Sequence, residues 1–252
     1  MPPDGKHQNT RRITAVLDAI ARHADQGMRL VDVTRATGLG KGTAHRIIAG
    51  LLDSQMVEQD PDSGRFFIGL RVMNWAASGR KRFGLVEQLK PVLQAICEQS
   101  GDTVYLTVRQ GDEVVYIDRR EGSYPLKALP VDVGARRPLG IGAAPTAILA
   151  FQDDEEIRRI VETHEEARLG FGIGRAKLEE LIALARRLGY ALHQGEILPG
   201  MVAVGVPVLN AEGVPFAAIS VAAGAARLAP PRTDEIAELI KREIAGRHIL
   251  PG

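Results

Sequence analysis

Three helical segments closed by a short hairpin, followed by helices interleaved with tightly turned strands, predict an α+β protein of two domains. At 252 residues the chain exceeds a typical single domain. Its 45% hydrophobic and 25% charged residues suffice for packed cores and exclude a disordered chain. The expected division is 10–69, a linker helix over 70–82, and a second domain over 83–252.

After a polar start, Ile13, Val16, Leu17 and Ile20 fall on one helical stripe, with Thr10 as the expected N-cap and Gly27 as the stop. A short helix carrying Leu30, Val33 and Ala36 ends at Thr37-Gly38. A third helix opens at Leu39-Gly40-Lys41-Gly42 and runs through Ser54. Residues 56–59 and 65–68 flank Asp60-Pro61-Asp62-Ser63-Gly64, a turn-rich tip between two short strands. Three helices and a hairpin make a winged helix-turn-helix pattern. The next helix carries Leu70, Met73 and Ala77 on one side and ends in Gly79-Arg80-Lys81-Arg82, a solvated linker or a phosphate contact. Trp75 within it reads as an interface or core anchor.

Beyond this linker Val86, Leu89, Leu93, Ile96 and Cys97 form a helical stripe. Cys97 is therefore expected as a small buried hydrophobe rather than a reactive thiol, because no local cation would lower its pKa. Strands are expected at 103–109, 114–119 and 124–129, an antiparallel meander joined by Gln110-Gly111-Asp112 and Glu121-Gly122-Ser123. Helices follow at 143–151, 154–163 and 175–188. Two more strands, 202–209 and 216–222, are joined through Asn210-Ala211-Glu212-Gly213, and a final helix covers 233–247.

The third helix carries the functional signal. Ala44, Ile47, Ile48, Leu51 and Leu52 project to one face. The opposite face centres on Gly42, Arg46, Ala49 and Gly50, with Thr43 and His45 at its margins. Solubility would be served by Glu and Lys, and each helical Gly costs about 1 kcal/mol relative to Ala. Small residues make sense where a helix backbone must approach another surface closely. In a major groove Arg46 can reach guanine bidentately, Thr43 and His45 can reach base edges or phosphates, and Lys41 lies beside them. Arg65 at the hairpin is placed to touch the phosphate backbone. The competing reading is a helix-turn-helix lookalike used only for packing. Charge supports the first: the net +1 hides +5 up to Arg82 and −4 beyond it.

Other chemistries are not encoded. Gly38-Leu39-Gly40-Lys41-Gly42-Thr43 lacks the contiguous Gly-Lys-Ser/Thr of a phosphate loop. Gly170-Phe171-Gly172-Ile173-Gly174 lacks dinucleotide spacing and reads as a loop. Ser220 sits in a strand-like run rather than a nucleophile elbow. Asp153-Asp154-Glu155-Glu156 reads as a helix N-terminal acidic run. No catalytic residue, metal site or cofactor is expected. One cysteine excludes a disulfide framework, and no apolar run approaches a membrane span or a signal peptide core, so a cytoplasmic setting is expected.

Three stretches together resemble the IclR-type bacterial transcriptional regulators over roughly residues 10–250. They are residues 39–48 with their wing; Gly134-Ala135-Arg136-Arg137-Pro138-Leu139 leading into Ala147-Ile148-Leu149-Ala150; and Gly195-Glu196-Ile197-Leu198-Pro199-Gly200 through Pro207-Val208 to Pro215-Phe216-Ala217-Ala218-Ile219-Ser220-Val221. The resemblance implies a homodimer or dimer of dimers bound to double-stranded operator DNA. It also implies a GAF-like second domain that binds a small-molecule effector and thereby controls metabolic, catabolic genes. The family's effector pocket would fall on Ala143, Ala144, His193, Ala203, Ser220 and Ala222. Members that bind small oxoacids place Asp, Cys or Ser where this chain has His193, Ala203 and Ala222, and Pro145-Thr146 replaces the usual Gly-Lys. A less polar pocket follows, favouring an apolar or aromatic organic acid whose anionic group meets His193 or Ser220. His193 could equally be an ordinary half-buried histidine. The alternative function is a small-molecule-binding or enzymatic domain carrying a vestigial helix-turn-helix.

Overall fold

The computed structural model describes residues 7–82, 84–127, 131–163, 165–247 and 249. The chain divides into two compact units, Met1–Arg82 and Phe83–Gly252. The side chains expected at 77–82, and residues 128 and 129 of the expected third strand, lie outside the described ones.

The first unit runs α1 (Gln8–Ala21), α2 (Leu30–Thr37), α3 (Lys41–Asp53), β1 (Val57–Gln59), β2 (Phe66–Ile68) and α4 (Leu70–Arg82). Val16, Ile20, Val33, Ile48, Leu51, Val57 and Phe66 pack into its core. Met28 and Phe66 exchange both backbone hydrogen bonds, at 2.7 and 3.1 Å, so the α1–α2 loop pairs with the β1–β2 hairpin. The chain turns into that pairing at Gly27 (φ +61), where a Cβ would stand 2.5 Å from the Phe67 ring. Only glycine fits. Thr10 is not the N-cap: α1 starts at Gln8 behind His7, and Thr10 lies within its first turn. Trp75 is exposed, with the Arg71 guanidinium 5.3 Å from its ring centre.

The second unit runs α5 (Leu85–Ser100), β3 (Thr103–Gln110), β4 (Glu113–Arg120), β5 (Arg136–Pro138), α6 (Ala143–Ala150), α7 (Asp154–Glu162), α8 (Glu165–Leu169), α9 (Arg175–Leu188), β6 (Ala191–Gln194), β7 (Met201–Leu209), β8 (Pro215–Gly224) and α10 (Arg232–Ile244). Its strands form a six-stranded antiparallel sheet in the order β5-β4-β3-β8-β7-β6. The expected strand at 124–129 is absent over its described part, and β5 takes the place beside β4. The physical reason lies at the α5–β3 corner. Tyr124 N–H donates to the Gly101 carbonyl at 2.9 Å, and the Arg227 guanidinium lies 4.0 Å over the Tyr124 ring, which holds this segment away from the sheet edge. Three short elements, β5, α8 and β6, were not expected as such.

The two faces of the sheet differ in side-chain size. Val202, Val204, Val206 and Val208 of β7, with Ile219 and Val221 of β8, pack against Leu89, Leu93 and Ile96 of α5 and Ile236 and Ile240 of α10. Cys97 is buried in this layer, where desolvation raises the pKa of its thiol. The other face presents Ala203, Gly205, Ala218, Ser220 and Ala222, and α6 lies on it with all eight residues buried. The seat is very close. A Cβ on Gly205 would stand 2.5 Å from the Ala143 carbonyl oxygen and 2.9 Å from Ala144 N. Arg168 of α8 is wholly buried and donates to the carbonyls of Ile160, Val161 and Thr163 at 2.6–3.0 Å, placing a cation where the dipole of α7 is negative.

Because backbone rather than a flexible side chain blocks the position, Gly205→Ala is expected to destabilise the second unit by about 1–3 kcal/mol, as overpacking of tight cores does. Urea unfolding monitored on that unit measures it, and an unchanged midpoint would refute the close seat.

Candidate functional site

Two constellations emerge, one in each unit. On α3, Ala44, Ile48 and Leu51 are buried, while Lys41, Gly42, His45, Arg46, Ala49 and Gly50 are exposed and Thr43 is partly so. Among the described residues, and apart from neighbouring backbone, nothing lies within 4 Å of a Cβ built on Gly40, Gly42 or Gly50. Internal packing therefore gives no reason for glycine here, in contrast to Gly27. Among the described residues, neither Arg46 nor Lys41 has an ion-pair partner.

The wing is placed differently from expectation. Arg65 Nη1 donates to the carbonyls of Gln26 and Gly27 at 3.3 and 3.1 Å, fastening the hairpin to the α1–α2 loop. The tip itself carries Asp60 and Asp62. Asp60 Oδ1 accepts from Ser63 N–H and Oγ–H at 2.7 and 2.6 Å, and these bonds hold its pKa below the usual carboxylate value. Two carboxylates at the tip repel phosphates. Arg65 thus helps to position the wing.

In the second unit, strand register gathers the other predicted residues. His193 pairs with Ala203, and Ala203 with Ala222; beside that row, Gly205 pairs with Ser220, and Ser220 with Tyr105. Since side chains alternate across a sheet, both rows face α6. Ala143, Ala144, His193, Ala203, Ser220 and Ala222 all line one cleft with about 550 Å³ of atom-free space, part of it open to solvent. The small side chains create the space, and Gly142–Ala144 bring the first turn of α6 to its wall. N–H groups of a first turn have no intrahelical acceptor.

Several lining residues carried no expected role. Tyr105 and Tyr116 meet edge to face, with ring centres 5.7 Å apart. Burial pushes both hydroxyls up to about 12, so they stay protonated; a nearby guanidinium opposes this, Arg119 for Tyr105 and Arg137 for Tyr116. Among the described residues, Arg137 is the one formally charged side chain of the lining. Its guanidinium lies 5.5 Å from the Phe171 ring centre. Ile197 and Leu198, in the loop between Gly195 and Gly200, complete the apolar part. Period-2 alternation in β3 offered a signal for Tyr105; no sequence signal placed Arg137 at a cleft.

His193 departs from one expectation. Its ring is buried, with Nε2 2.9 Å from Thr146 Oγ1 and Nδ1 3.8 Å from Glu196 Oε2. Desolvation lowers its pKa, which the Glu196 carboxylate only partly offsets, while Lys177 and Arg137 push the same way as burial. A neutral imidazole offers an anion no charge. Arg137 does.

Among the described residues no helix is long and apolar enough to cross a membrane, and no cluster could hold a metal ion. The arrangement defines a class: a winged helix-turn-helix unit joined to an α+β unit with a cleft on one face of its sheet. The model of the bacterial transcriptional regulator IclR C-terminal domain matches residues 79–247, and that of the IclR helix-turn-helix domain matches 10–61. The chain belongs to the IclR family of transcriptional regulators, and is a regulator rather than an enzyme. It is 30% identical over 226 residues to the probable transcriptional regulator SauR of Cupriavidus necator, covering 88% of this chain and 89% of that one. An IclR regulator structure from Alicyclobacillus acidocaldarius superposes with a TM-score of 0.80 at 22% identity, covering 97% and 98% of the two chains. An IclR homologue of Microbacterium hydrocarbonoxydans, solved with 4-hydroxybenzoate, superposes with a TM-score of 0.73 at 21% identity, covering 95% and 100%.

The lowered pKa of His193 has a consequence for stability. The unfolded imidazole takes up its proton near pH 6.5 and the folded one only at lower pH. Between those values the unfolded state binds more protons, so stability falls as pH drops below 6.5. His193→Gln should flatten that fall, by at most about 1.4 kcal/mol per pH unit for one group. Parallel stability–pH profiles for the two proteins would count against a buried neutral histidine.

Proposed function

We propose that this protein is a cytoplasmic, homo-oligomeric regulator that reads an operator through α3 and is controlled by an aromatic organic acid held in the cleft of the second unit. The genes it controls would be those for catabolism of that acid. In this reading residues 10–69 bind DNA, 70–82 link, and 83–252 bind effector and oligomerise.

The DNA reading rests on one observation above all, the exposed face of Gly42, His45, Arg46, Ala49 and Gly50 with open space over its glycines. A helix with such a face can sink deep into a major groove, bringing Arg46 to a guanine edge and Lys41 and Thr43 to the flanking phosphates. Arg65 contributes by fixing the wing. The effector reading rests on the convergence of the six small or polar residues around one cleft with two tyrosines and Arg137. An aromatic ring suits the Tyr105–Tyr116 wall and the alanine floor, and a carboxylate suits Arg137. The 4-hydroxybenzoate carried by the Microbacterium homologue belongs to this class. Ligand binding would favour one arrangement of the protein over another, by no more than its differential affinity for the two. The oligomer is supported by Leu70, Met73 and Trp75, which stand 71%, 61% and 52% exposed on α4.

Fluorescence anisotropy on the DNA upstream of its own gene, at fixed salt and with a panel of acids, tests the proposal. Arg46→Ala should weaken specific binding by about 1–3 kcal/mol and relax preference at one base pair; an unchanged sequence preference would rule out direct readout. Gly50→Ala should raise helix stability by up to about 1 kcal/mol while weakening DNA binding. Gain of both stability and affinity would refute close approach. Calorimetric preference for small dicarboxylates over aromatic acids would sink the effector class. Polar replacements at Leu70 and Met73 should shift sedimentation toward monomer, and an unaltered profile would move the interface elsewhere.

A further inference from the structure

The end of α3 and the start of α4 are built as one piece. The β1–β2 hairpin lies between them in sequence, and its pairing of Val57 with Ile68 returns the chain to where α3 stopped. Gly69 N–H then donates to the Met56 carbonyl at 2.9 Å, one rung beyond that pair. A Cβ on Gly69 would stand 2.4 Å from the Gln55 carbonyl oxygen and 3.1 Å from the carbonyl carbons of Gln55 and Met56. The two backbones touch, so α4 cannot shift on this seat without pushing the turn that closes α3.

That turn is itself tightly defined. Gln55 and Met56 N–H donate to the carbonyls of Leu52 and Leu51, each at 2.9 Å, which is a Schellman ending. Gln55 holds it at φ +57, the one non-glycine residue at positive φ among those described. The Ser54 carbonyl, at the C-cap, is met from α4: Arg71 Nη1 donates to it at 3.0 Å. A cation therefore stands at the negative end of the α3 dipole. One turn further along α4, the Trp75 ring centre lies 5.3 Å from the Arg71 guanidinium, so the indole backs the same group.

We propose that Arg71 is a positioning residue for DNA recognition: with Gly69 it clamps α4 to the C-terminal end of α3, and Trp75 steadies its guanidinium. The two helices then turn as one body. The direction of α4, through which the chain leaves this unit, sets how the face from Gly42 to Gly50 meets a groove. This inference rests on the DNA reading of α3 and adds to it the residue that aims the helix.

Binding of the full-length protein to an operator selected from random-sequence DNA, and to unselected DNA of the same length, tests it across a salt series. Arg71→Ala should weaken operator binding at least about threefold while leaving unselected DNA within about twofold. The slope of log affinity against log salt should stay as it is, whereas loss of a phosphate contact would reduce it by about 0.9. Trp75→Leu should give part of the operator loss, and in the double variant the two losses should not add. Unchanged operator affinity, an equal loss on both DNAs, a reduced salt slope or strictly additive losses would each overturn the clamp and leave the reading of α3 standing. Failure of the wild-type protein to select any operator would overturn both.

Discussion

The second unit depends on how closely α6 can sit on its sheet. The first turn of that helix rests on β7 with no side chain between them, since a Cβ at Gly205 would fall 2.5 Å from the Ala143 carbonyl oxygen. Everything else on that face is small as well: Ala203, Ala218, Ser220 and Ala222. The branched side chains are confined to the opposite face, where they fill the layer under α5 and α10. Where the helix covers the small residues, contact is tight. Where it ends, at Gly142 and Ala143, the same small residues leave a cleft. One choice of side-chain size therefore makes both the packing and the space.

Glycine does opposite work at different places in the chain. Gly205 and Gly27 are held by atoms of their own chain, at 2.5 Å in each case. Among the described residues, nothing beyond the local helix backbone would meet a Cβ on Gly42 or Gly50. A residue that gives up helix stability without serving its own fold must serve a partner, and a nucleic-acid groove is the partner that rewards backbone approach. Electrostatics follows the same division. The α3 face carries cations without ion-pair partners among the described residues, whereas the cleft keeps a single formal charge, Arg137, among aromatic and apolar groups.

Periodicity made much of this legible in advance. The stripe of α3 and the long helix over Arg175–Leu188 follow directly from apolar spacing, and the hairpin residues from turn chemistry. The six residues expected at the effector site came from a family resemblance; strand pairing brings His193, Ala203, Ser220 and Ala222 to one wall, and the seat of α6 adds Ala143 and Ala144. The failures have local causes. Tyr124 belongs to a strand-like run, but it is claimed by the Arg227 guanidinium and the Gly101 carbonyl, which no periodicity records. Arg65 is no failure, but its two carbonyl partners in the α1–α2 loop are likewise absent from any spacing. Arg137 and Thr146 act through partners distant in sequence, and the protonation of His193 is set by burial that appears only once α6 is in place.

The same close seat constrains how a ligand can signal. A ligand shifts an equilibrium only through contacts that differ between the two states. The floor of the cleft is formed by α6, β7 and β8, whose backbones are already in contact at Gly205, so this part has little room to rearrange without losing packing. The opposite rim is built otherwise. Gly195 and Gly200, both at positive φ, bracket a loop from which Ile197 and Leu198 reach the cleft, with Leu198 half exposed and Glu196 meeting Gln194, Lys177 and His193. His193 stands at the end of the strand that leads into that loop. A ligand touching both would therefore bridge the rigid wall and the adjustable rim, the position from which its contacts can differ most between two arrangements.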